Sequence, residues 1–145
     1  PGLSPDSLDG WHDLLLTHLI EPHLGQGRLT FLYDYPASMA ALARLRPDKP
    51  AVAERFELYL HGVELANGFH ELGDAGEQRR RFDADLTRRQ DLGLTWVPPD
   101  ERLLAALEHG LPACAGVALG VDRLVMLALG ARRLADVMAF PIERA

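Results

Sequence analysis

The fold of this chain is decided by residues 52–69, which read Val52-Ala-Glu-Arg-Phe-Glu-Leu-Tyr-Leu-His-Gly-Val-Glu-Leu-Ala-Asn-Gly-Phe69. Strand-forming runs lie on either side of His61-Gly62, a pattern that is typical of a β-hairpin with a two-residue turn. We therefore predict antiparallel strands over 52–60 and 63–69. An antiparallel hairpin among several further strands and helices favours the α+β class over a parallel sheet. The expected architecture is an antiparallel β-sheet flanked by helices.

The other elements follow from hydrophobic spacing and from capping and turn residues. Ser7 is placed to cap a helix that runs to about Ile20, and Asp100 to cap one that runs to about His109. Further helices are predicted at 37–45, at 75–92 and from the end of the 115–121 strand to about 129. Further strands are predicted at 30–35, 115–121 and 137–140.

Size and composition indicate one globular domain and exclude several classes of function. Hydrophobic residues make up 48% and charged residues 25% of the 145 positions, which is ordinary for a globular chain. With a net charge of -6, the chain lacks the basic surface of a primary nucleic-acid binder. The single cysteine, Cys114, fits a reducing cytoplasm. No apolar run reaches the roughly 18 residues of a membrane span.

Two carboxylates of the hairpin are candidates for metal binding. With a two-residue turn, Tyr59 faces Glu64, and Glu57 then shares a face with Glu64 on the diagonal. Diagonal Cβ atoms lie roughly 7 Å apart, which allows both carboxylates to bind one ion. Two carboxylates without an obvious cationic partner suit Mg²⁺, which completes its shell with phosphate and water. The alternative is an ordinary solvent-exposed acidic face.

Asn67 and Glu71 add two polar groups to the second strand. Strict alternation puts both on the face opposite Glu64. They join the same site only if the strand bulges or bends near 66–68, where Gly68 makes a bulge plausible. In that arrangement Glu71 suits a substrate ammonium, because a fixed carboxylate attracts a cation.

The stretch Gly116-Val-Ala-Leu-Gly-Val-Asp-Arg123 predicts a short buried strand that leads directly into a helix. Gly116 and Gly120 carry no Cβ, so a large flat group is able to lie against the backbone. Arg123 falls in the first turn of the helix, where backbone N–H groups favour anions. This combination indicates a nucleotide site, and the alternative is a tightly packed corner with a surface arginine.

Together, the acidic hairpin and the glycine stretch resemble the catalytic core of class II aminoacyl-tRNA synthetases, the lysyl branch in particular. Residues 116–123 are similar to the third signature motif of that family. The hairpin is similar to the strands that bind Mg²⁺ and lysine in lysyl enzymes. The resemblance extends from about residue 11 to residue 145.

The resemblance implies a role for each matching residue. It implies ATP and Mg²⁺ as cofactors, with Mg²⁺ held by Glu57 and Glu64. Arg123, the implied catalytic residue, binds the γ-phosphate. The implied roles of the others are ATP contact for Glu64, Leu65 and Gly120, and amino-acid contact for Asn67, Glu71 and Ala118.

Within the lysyl branch, the chain most resembles short paralogues that lack the anticodon-binding domain. His70 stands where lysyl-tRNA synthetases usually have Thr or Ser, and Ala118 replaces the middle glycine of the third motif. This resemblance implies ATP-dependent activation of (R)-β-lysine, or lysine, as an aminoacyl-adenylate. The activated group is then transferred to a lysine side chain of elongation factor P. It also implies a cytoplasmic homodimer with no need for tRNA or a membrane.

Two alternatives stay open from the sequence. One is a fragment of a lysyl-tRNA synthetase core, and the other is a non-catalytic synthetase-like module. The first two signature motifs of the family are not found in the chain. Residues 1–145 are therefore expected to form the C-terminal part of a class II synthetase-like catalytic domain, inactive without the residues that those motifs supply.

Overall fold

The protein has the predicted α+β architecture. The computed structural model describes residues 7–49 and 51–142. Its strands are Thr30–Pro36 (β1), Val52–Leu60 (β2), Val63–His70 (β3) and Ala115–Leu119 (β4), and its α-helices are Leu8–Leu15 (α1), Ala75–Asp91 (α2), Glu101–His109 (α3) and Val121–Ala128 (α4). In the described residues, the strands form one sheet in the order β1-β2-β3-β4, and all neighbouring strands are antiparallel.

Local signals in the sequence set where several elements begin and turn. His61 and Gly62 have φ values of 52° and 73°, the left-handed conformations of the predicted two-residue turn. Ser7 caps α1, because its Oγ accepts a hydrogen bond of 3.1 Å from the backbone N–H of Gly10. The Asp100 carboxylate accepts two backbone N–H bonds from the first turn of α3. Both predicted caps are confirmed.

The segment 37–45 does not form the predicted helix. It makes one 3₁₀ turn, Ala37–Met39, and then runs beside the sheet with isolated β-bridges at Ala43 and Leu45. Arg81 of α2 donates hydrogen bonds to two carbonyl groups of the segment. These tertiary partners satisfy backbone groups that a helix would satisfy internally, so they outweigh the helical spacing.

The first predicted helix is regular over only part of its length. It is α-helical to Leu15, continues as the π-helical turn Leu16–Ile20, and ends in the 3₁₀ turn Glu21–His23. Pro22 lies in that last turn, where a missing N–H group is tolerated. In the described part of the chain, none of the helices combines the length and the apolar character that a membrane crossing requires.

Three predictions near the end of the chain are wrong. Residues 137–140 follow a 3₁₀ turn, Leu134–Asp136, and join no strand in the described structure. β4 ends at Leu119, because Val121 already starts α4. β4 is also exposed at every residue, whereas the sequence predicts a buried strand. The reason is that, in the described residues, β3 is the one element that packs extensively against β4, so the side chains on both faces of the strand stay uncovered.

The core at the β1 end of the sheet is made of small residues and one tyrosine. Tyr35, Ala40, Ala43 and Ala53 are each at most 5% exposed and contact one another. Because three of the four are alanines, the 37–45 segment lies close against the sheet. The apolar side chains packed around this cluster are Leu16, Leu32, Met39, Leu45 and Phe69.

The link between α2 and the 37–45 segment predicts a pH-dependent stability. Hydrogen bonds from Arg81, and then from Arg80, lower the pKa of Glu77 despite its partial burial. A lowered pKa stabilises the fold above the ordinary glutamate range and loses that effect as the pH falls through the folded value. The free energy of unfolding falls as the pH is lowered from 6 to 3. We expect this loss to be about 0.5–1 kcal/mol smaller in Glu77→Gln than in the wild type.

Urea denaturation of both proteins across that pH range measures this difference. Asp91→Asn is the control, because Asp91 lies on the same helix and forms no ion pair within the described residues. A Glu77→Gln protein with the same pH dependence as the wild type would contradict the prediction.

Candidate active site

A bulge in β3 brings the predicted hairpin residues onto one face of the sheet. Tyr59 lies opposite Glu64, but the next pair is Leu58 with Ala66, so Leu65 has no residue opposite it on β2. The extra residue shifts the alternation of side chains by one position. Asn67 therefore lies on the same face as Glu64, although the two residues are three positions apart along β3.

The bulge meets the condition that the sequence left open, although it lies just before 66–68. It places Asn67 directly opposite Glu57. It also leaves the Leu65 side chain buried, at 3% exposure. The carbonyl of Leu65 lies at the edge of the site, where it accepts a hydrogen bond of 2.8 Å from the N–H of Gly120. Only the backbone of Leu65 is thus available for the predicted contact with ATP.

Glu57 lies at the centre of a dense hydrogen-bond network. One of its oxygens accepts from Arg55 at 2.7 Å and from Asn67 at 3.3 Å. The other accepts from the Tyr59 hydroxyl at 2.6 Å. Burial, and then this hydrogen bond to Glu57, raises the pKa of Tyr59, so the phenol stays protonated and keeps donating. Glu57 is 8% exposed, and such a buried carboxylate needs these partners.

Glu64 has an arginine partner as well. Arg123 donates from Nη1 to the Glu64 carbonyl at 2.8 Å and to its carboxylate at 3.1 Å. The assumption that the two carboxylates lack a cationic partner is therefore wrong, since Arg55 and Arg123 each neutralise one of them. The two arginines differ in exposure, because the Arg123 side chain is 43% exposed and that of Arg55 is 17% exposed. Of the two arginines, Arg123 is therefore the more accessible to a ligand.

The glycine positions make room for side chains of the site itself. A Cβ on Gly116 would lie 2.7 Å from an oxygen of Glu71, so the Glu71 carboxylate lies across that glycine. A Cβ on Gly120 would lie 3.3 Å from Cδ of Arg123. The space above these glycines is thus occupied by two predicted binding residues. The sequence predicted that Gly116 and Gly120 leave open space for a large flat group. That prediction is revised, because side chains of the site itself lie in this space.

β4 completes the face that holds these residues. Ala118 lies opposite Asn67, and Gly116 lies opposite Phe69. Because side chains on paired positions share a face, Ala118 lies beside Asn67. Gly116, two positions away, lies on that same face under Glu71. The structure therefore brings the hairpin, β4 and the start of α4 together as a single open surface.

The sequence interpretation missed three residues of this surface: Arg55, Tyr59 and Tyr35. Arg55 and Tyr59 lie two positions from Glu57 on β2, and this i, i+2 spacing was the signal that could have found them. Tyr35 reaches the same face through a second irregularity, at Asp34, whose φ is 64°. The Arg55 guanidinium carbon lies 4.5 Å from the centroid of the Tyr35 ring.

The candidate site is an open sheet face rather than a cavity. A cleft of about 590 Å³ lies elsewhere, between the 37–45 segment and α2, and none of the predicted site residues lines it. Across residues 7–49 and 51–142, no group of three or more His, Cys, Asp or Glu side chains is placed to hold a metal ion. Two carboxylates on an open face fit Mg²⁺ bound together with a phosphate ligand, which supplies the remaining oxygens.

Comparison with known families places the chain in a defined class. Residues 18–144 match the model of the class II tRNA synthetases (D, K and N). The chain belongs to this family, and the predicted resemblance is confirmed.

Curated relatives narrow the comparison. The chain is 58% identical over 132 residues to the elongation factor P--(R)-beta-lysine ligase of Klebsiella pneumoniae (strain 342) and 59% identical over 132 residues to that of Proteus mirabilis (strain HI4320), covering 91% of this chain and 41% of each relative. It is 55% identical over 140 residues to the protein of that name from Pectobacterium carotovorum subsp. carotovorum (strain PC1), covering 97% of this chain and 43% of the relative. The chain therefore spans about two fifths of the length of these relatives.

Gly68 and Gly116 face opposite sides of the sheet, and we expect them to differ in their tolerance of substitution by alanine. At Gly68 a Cβ would lie 2.7 Å from the Phe56 ring and 2.8 Å from the carbonyl oxygen of Gly116. The backbone contact cannot relax, so we expect Gly68→Ala to destabilise the protein by about 1–3 kcal/mol. At Gly116 the obstacle is the end of the flexible Glu71 side chain.

We expect Gly116→Ala to leave the free energy of unfolding within about 0.5 kcal/mol of the wild type, while the Glu71 carboxylate moves. Urea denaturation of the two variants tests this contrast. Equal destabilisation by both alanines would contradict the placement of Glu71 across Gly116.

Proposed function

We propose that this chain contributes the metal, γ-phosphate and amino-acid contacts of an ATP-dependent aminoacyl ligase. The reaction is activation of (R)-β-lysine as an aminoacyl-adenylate, followed by transfer to a lysine side chain of elongation factor P. The observation that carries the proposal is the shared face of Glu57, Glu64, Asn67 and Glu71, created by the bulge at Leu65. The names of these curated relatives support this substrate and this partner.

Glu57 and Glu64 are the proposed ligands of Mg²⁺, which when bound supplies charge neutralisation at the ATP phosphates. Glu64 becomes available as a ligand when Arg123 turns from its carboxylate to the γ-phosphate, a move of one partly exposed side chain. An arginine–phosphate pair is a charge-assisted hydrogen bond of the strong kind. Gly120 and the backbone of Leu65 border the nucleotide at the start of α4.

The amino acid is proposed to lie over β4 and the end of β3. Glu71 is placed to pair with a substrate ammonium, and Asn67 has one N–H that is not used by Glu57. In the first step, the substrate carboxylate attacks the α-phosphorus of ATP and pyrophosphate leaves. In the second, the amine of the target lysine attacks the activated carbonyl carbon and AMP leaves. These residues act through positioning and charge stabilisation.

The proposal also includes a cytoplasmic homodimer that does not use tRNA. The single cysteine and the net charge of -6 support the reducing compartment and the lack of a nucleic-acid partner. The dimer rests on the resemblance to the class II family, whose first motif forms that interface.

ATP–pyrophosphate exchange tests the proposed activity. The chain is joined to the residues that precede the matched segment in the Klebsiella relative, which restores the length of the relatives. We expect (R)-β-lysine to stimulate exchange more than α-lysine, and Glu64→Gln to lower the exchange rate by about a hundredfold. Glu54→Gln is the matched control, because Glu54, on β2, also pairs with an arginine, Arg44 of the 37–45 segment, but lies on the opposite face.

Exchange that neither lysine stimulates would contradict the proposed activation step. Preference for α-lysine together with charging of tRNA would reassign the chain to a lysyl-tRNA synthetase core. A Glu64→Gln protein with full activity would remove Glu64 from the metal site.

Ala118 predicts how the site selects between amino acids. Its methyl group lies beside Asn67 on the substrate face, and a methyl-sized change in a binding site alters selectivity by about 1–3 kcal/mol. We expect Ala118→Gly to reduce the ratio of kcat/KM for (R)-β-lysine over α-lysine by about tenfold. Ala115→Gly, the same change on the other face of β4, should leave the ratio unchanged. A constant ratio in Ala118→Gly would show that the methyl group is merely tolerated.

A further inference from the structure

Arg55 contacts two of the predicted site residues, Glu57 and Asn67, and is held by two further groups outside the hairpin. Its Nη2 donates to Glu57 at 2.7 Å, its Nε to the Asn67 carboxamide oxygen at 3.4 Å, and its Nη1 to the carbonyl of Met39 at 3.0 Å. Its guanidinium lies over the ring of Tyr35. The side chain is 17% exposed. All three nitrogens of the guanidinium are thus used inside the protein.

These contacts determine which way the Asn67 carboxamide faces. A guanidinium only donates hydrogen bonds, so it requires the carboxamide oxygen of Asn67 on its side. The Glu57 carboxylate only accepts, so it requires the carboxamide NH₂ group. Rotating the amide by 180° would oppose donor to donor and acceptor to acceptor. Arg55 and Glu57 therefore leave Asn67 with one orientation, in which its second N–H has no partner among the described residues.

Arg55 is itself held from outside the hairpin. The Met39 carbonyl belongs to the 3₁₀ turn after β1, and Tyr35 belongs to β1. The contact with the tyrosine ring adds a cation–π attraction. The planar fork of an arginine makes three such bonds at fixed angles, whereas a lysine ammonium is a point charge that cannot reach all of these acceptors.

We propose that Arg55 is the positioning residue that orients the Glu57 carboxylate and the Asn67 carboxamide together. Its kinetic consequence rests on the proposed ligase function, but the orientation itself does not. Arg55 acts through Glu57 and Asn67 and makes no contact with substrate.

The orientation is measured directly by NMR on the 145-residue chain. Asn67 is the only asparagine in the sequence, so labelling with ¹⁵N-asparagine gives one carboxamide signal pair. In the wild type we expect well-separated carboxamide protons with slow hydrogen exchange. In Arg55→Lys and Arg55→Gln we expect the separation to shrink towards that of free asparagine and exchange to accelerate about tenfold.

The control is Arg44→Gln. Arg44 also forms a 2.7 Å ion pair with a glutamate of β2, Glu54, but on the opposite face of the sheet. This variant should keep the wild-type Asn67 signals. Arg55→Lys keeps the positive charge, so it remains informative if Arg55→Gln does not fold. Unchanged Asn67 signals in a folded Arg55 variant would overturn the proposal.

A kinetic arm uses the same exchange assay on the chain of restored length. We expect Arg55→Lys to raise the KM for the amino acid and to lower kcat. Adding Asn67→Ala to Arg55→Lys should lower the exchange activity by a smaller factor than Asn67→Ala does in the wild type. The reason is that both changes disrupt the same hydrogen-bonded group of side chains. Fully additive effects would indicate a general structural role and overturn the proposal.

The two arms separate the two proposals. A wild type without lysine-dependent exchange but with Asn67 signals that depend on Arg55 would defeat the ligase function alone. A wild type that exchanges normally, with Arg55→Lys equal to it in signals and in kinetics, would defeat the role of Arg55 alone.

Discussion

The candidate site depends on two breaks in strand register. An antiparallel strand alternates its side chains strictly between two faces, and without the bulge at Leu65 the second half of β3 would turn Asn67 and Glu71 away from Glu57 and Glu64. A second break, at Asp34, turns Tyr35 onto the same face. A bulge costs ladder hydrogen bonds and bends the strand, and the compensation here is visible. The carbonyl of Leu65 bonds to Gly120, and this bond fixes the start of α4 and thereby the position of Arg123.

Charge balance is the second constraint on the site. A carboxylate as buried as Glu57 requires a partner, and Arg55 supplies it within the same strand, two residues away. Arg55 is in turn fixed by a carbonyl and by an aromatic ring, so this pair is rigid. Glu64 is more exposed, and its partner Arg123 extends from another element, the first turn of α4. The two carboxylates therefore differ: Glu57 is held by a largely buried arginine, whereas the partner of Glu64 is a partly exposed arginine, the one proposed to bind the γ-phosphate.

The sequence predicted the hairpin, its turn, the two helix caps and α2 and α3, because each depends on local chemistry. It predicted Glu57, Glu64, Asn67 and Glu71 as candidates, but it could not decide whether they share a face. That depends on the bulge, which tertiary pairing selects. The helix predicted at 37–45 failed for a related reason, since Arg81 and the sheet satisfy that backbone from outside. Arg55 lies two residues from Glu57, but the contacts that hold its side chain in place, with Met39 and Tyr35, lie outside the hairpin sequence.

Two glycines on neighbouring strands, Gly68 of β3 and Gly116 of β4, are required for different reasons. Gly68 on β3 is required by packing, since a Cβ there would clash with the Phe56 ring and with the carbonyl oxygen of Gly116 on β4. Gly116 is required by the site, because a methyl group there would displace only the Glu71 carboxylate. Ala118, which lies opposite Asn67, carries a methyl group two positions from Gly116 on the same face of β4. In the proposed function, Glu71 holds the ammonium of the amino acid and Ala118 limits the shape of its chain, and these two side chains lie on the same face of the sheet, on neighbouring strands.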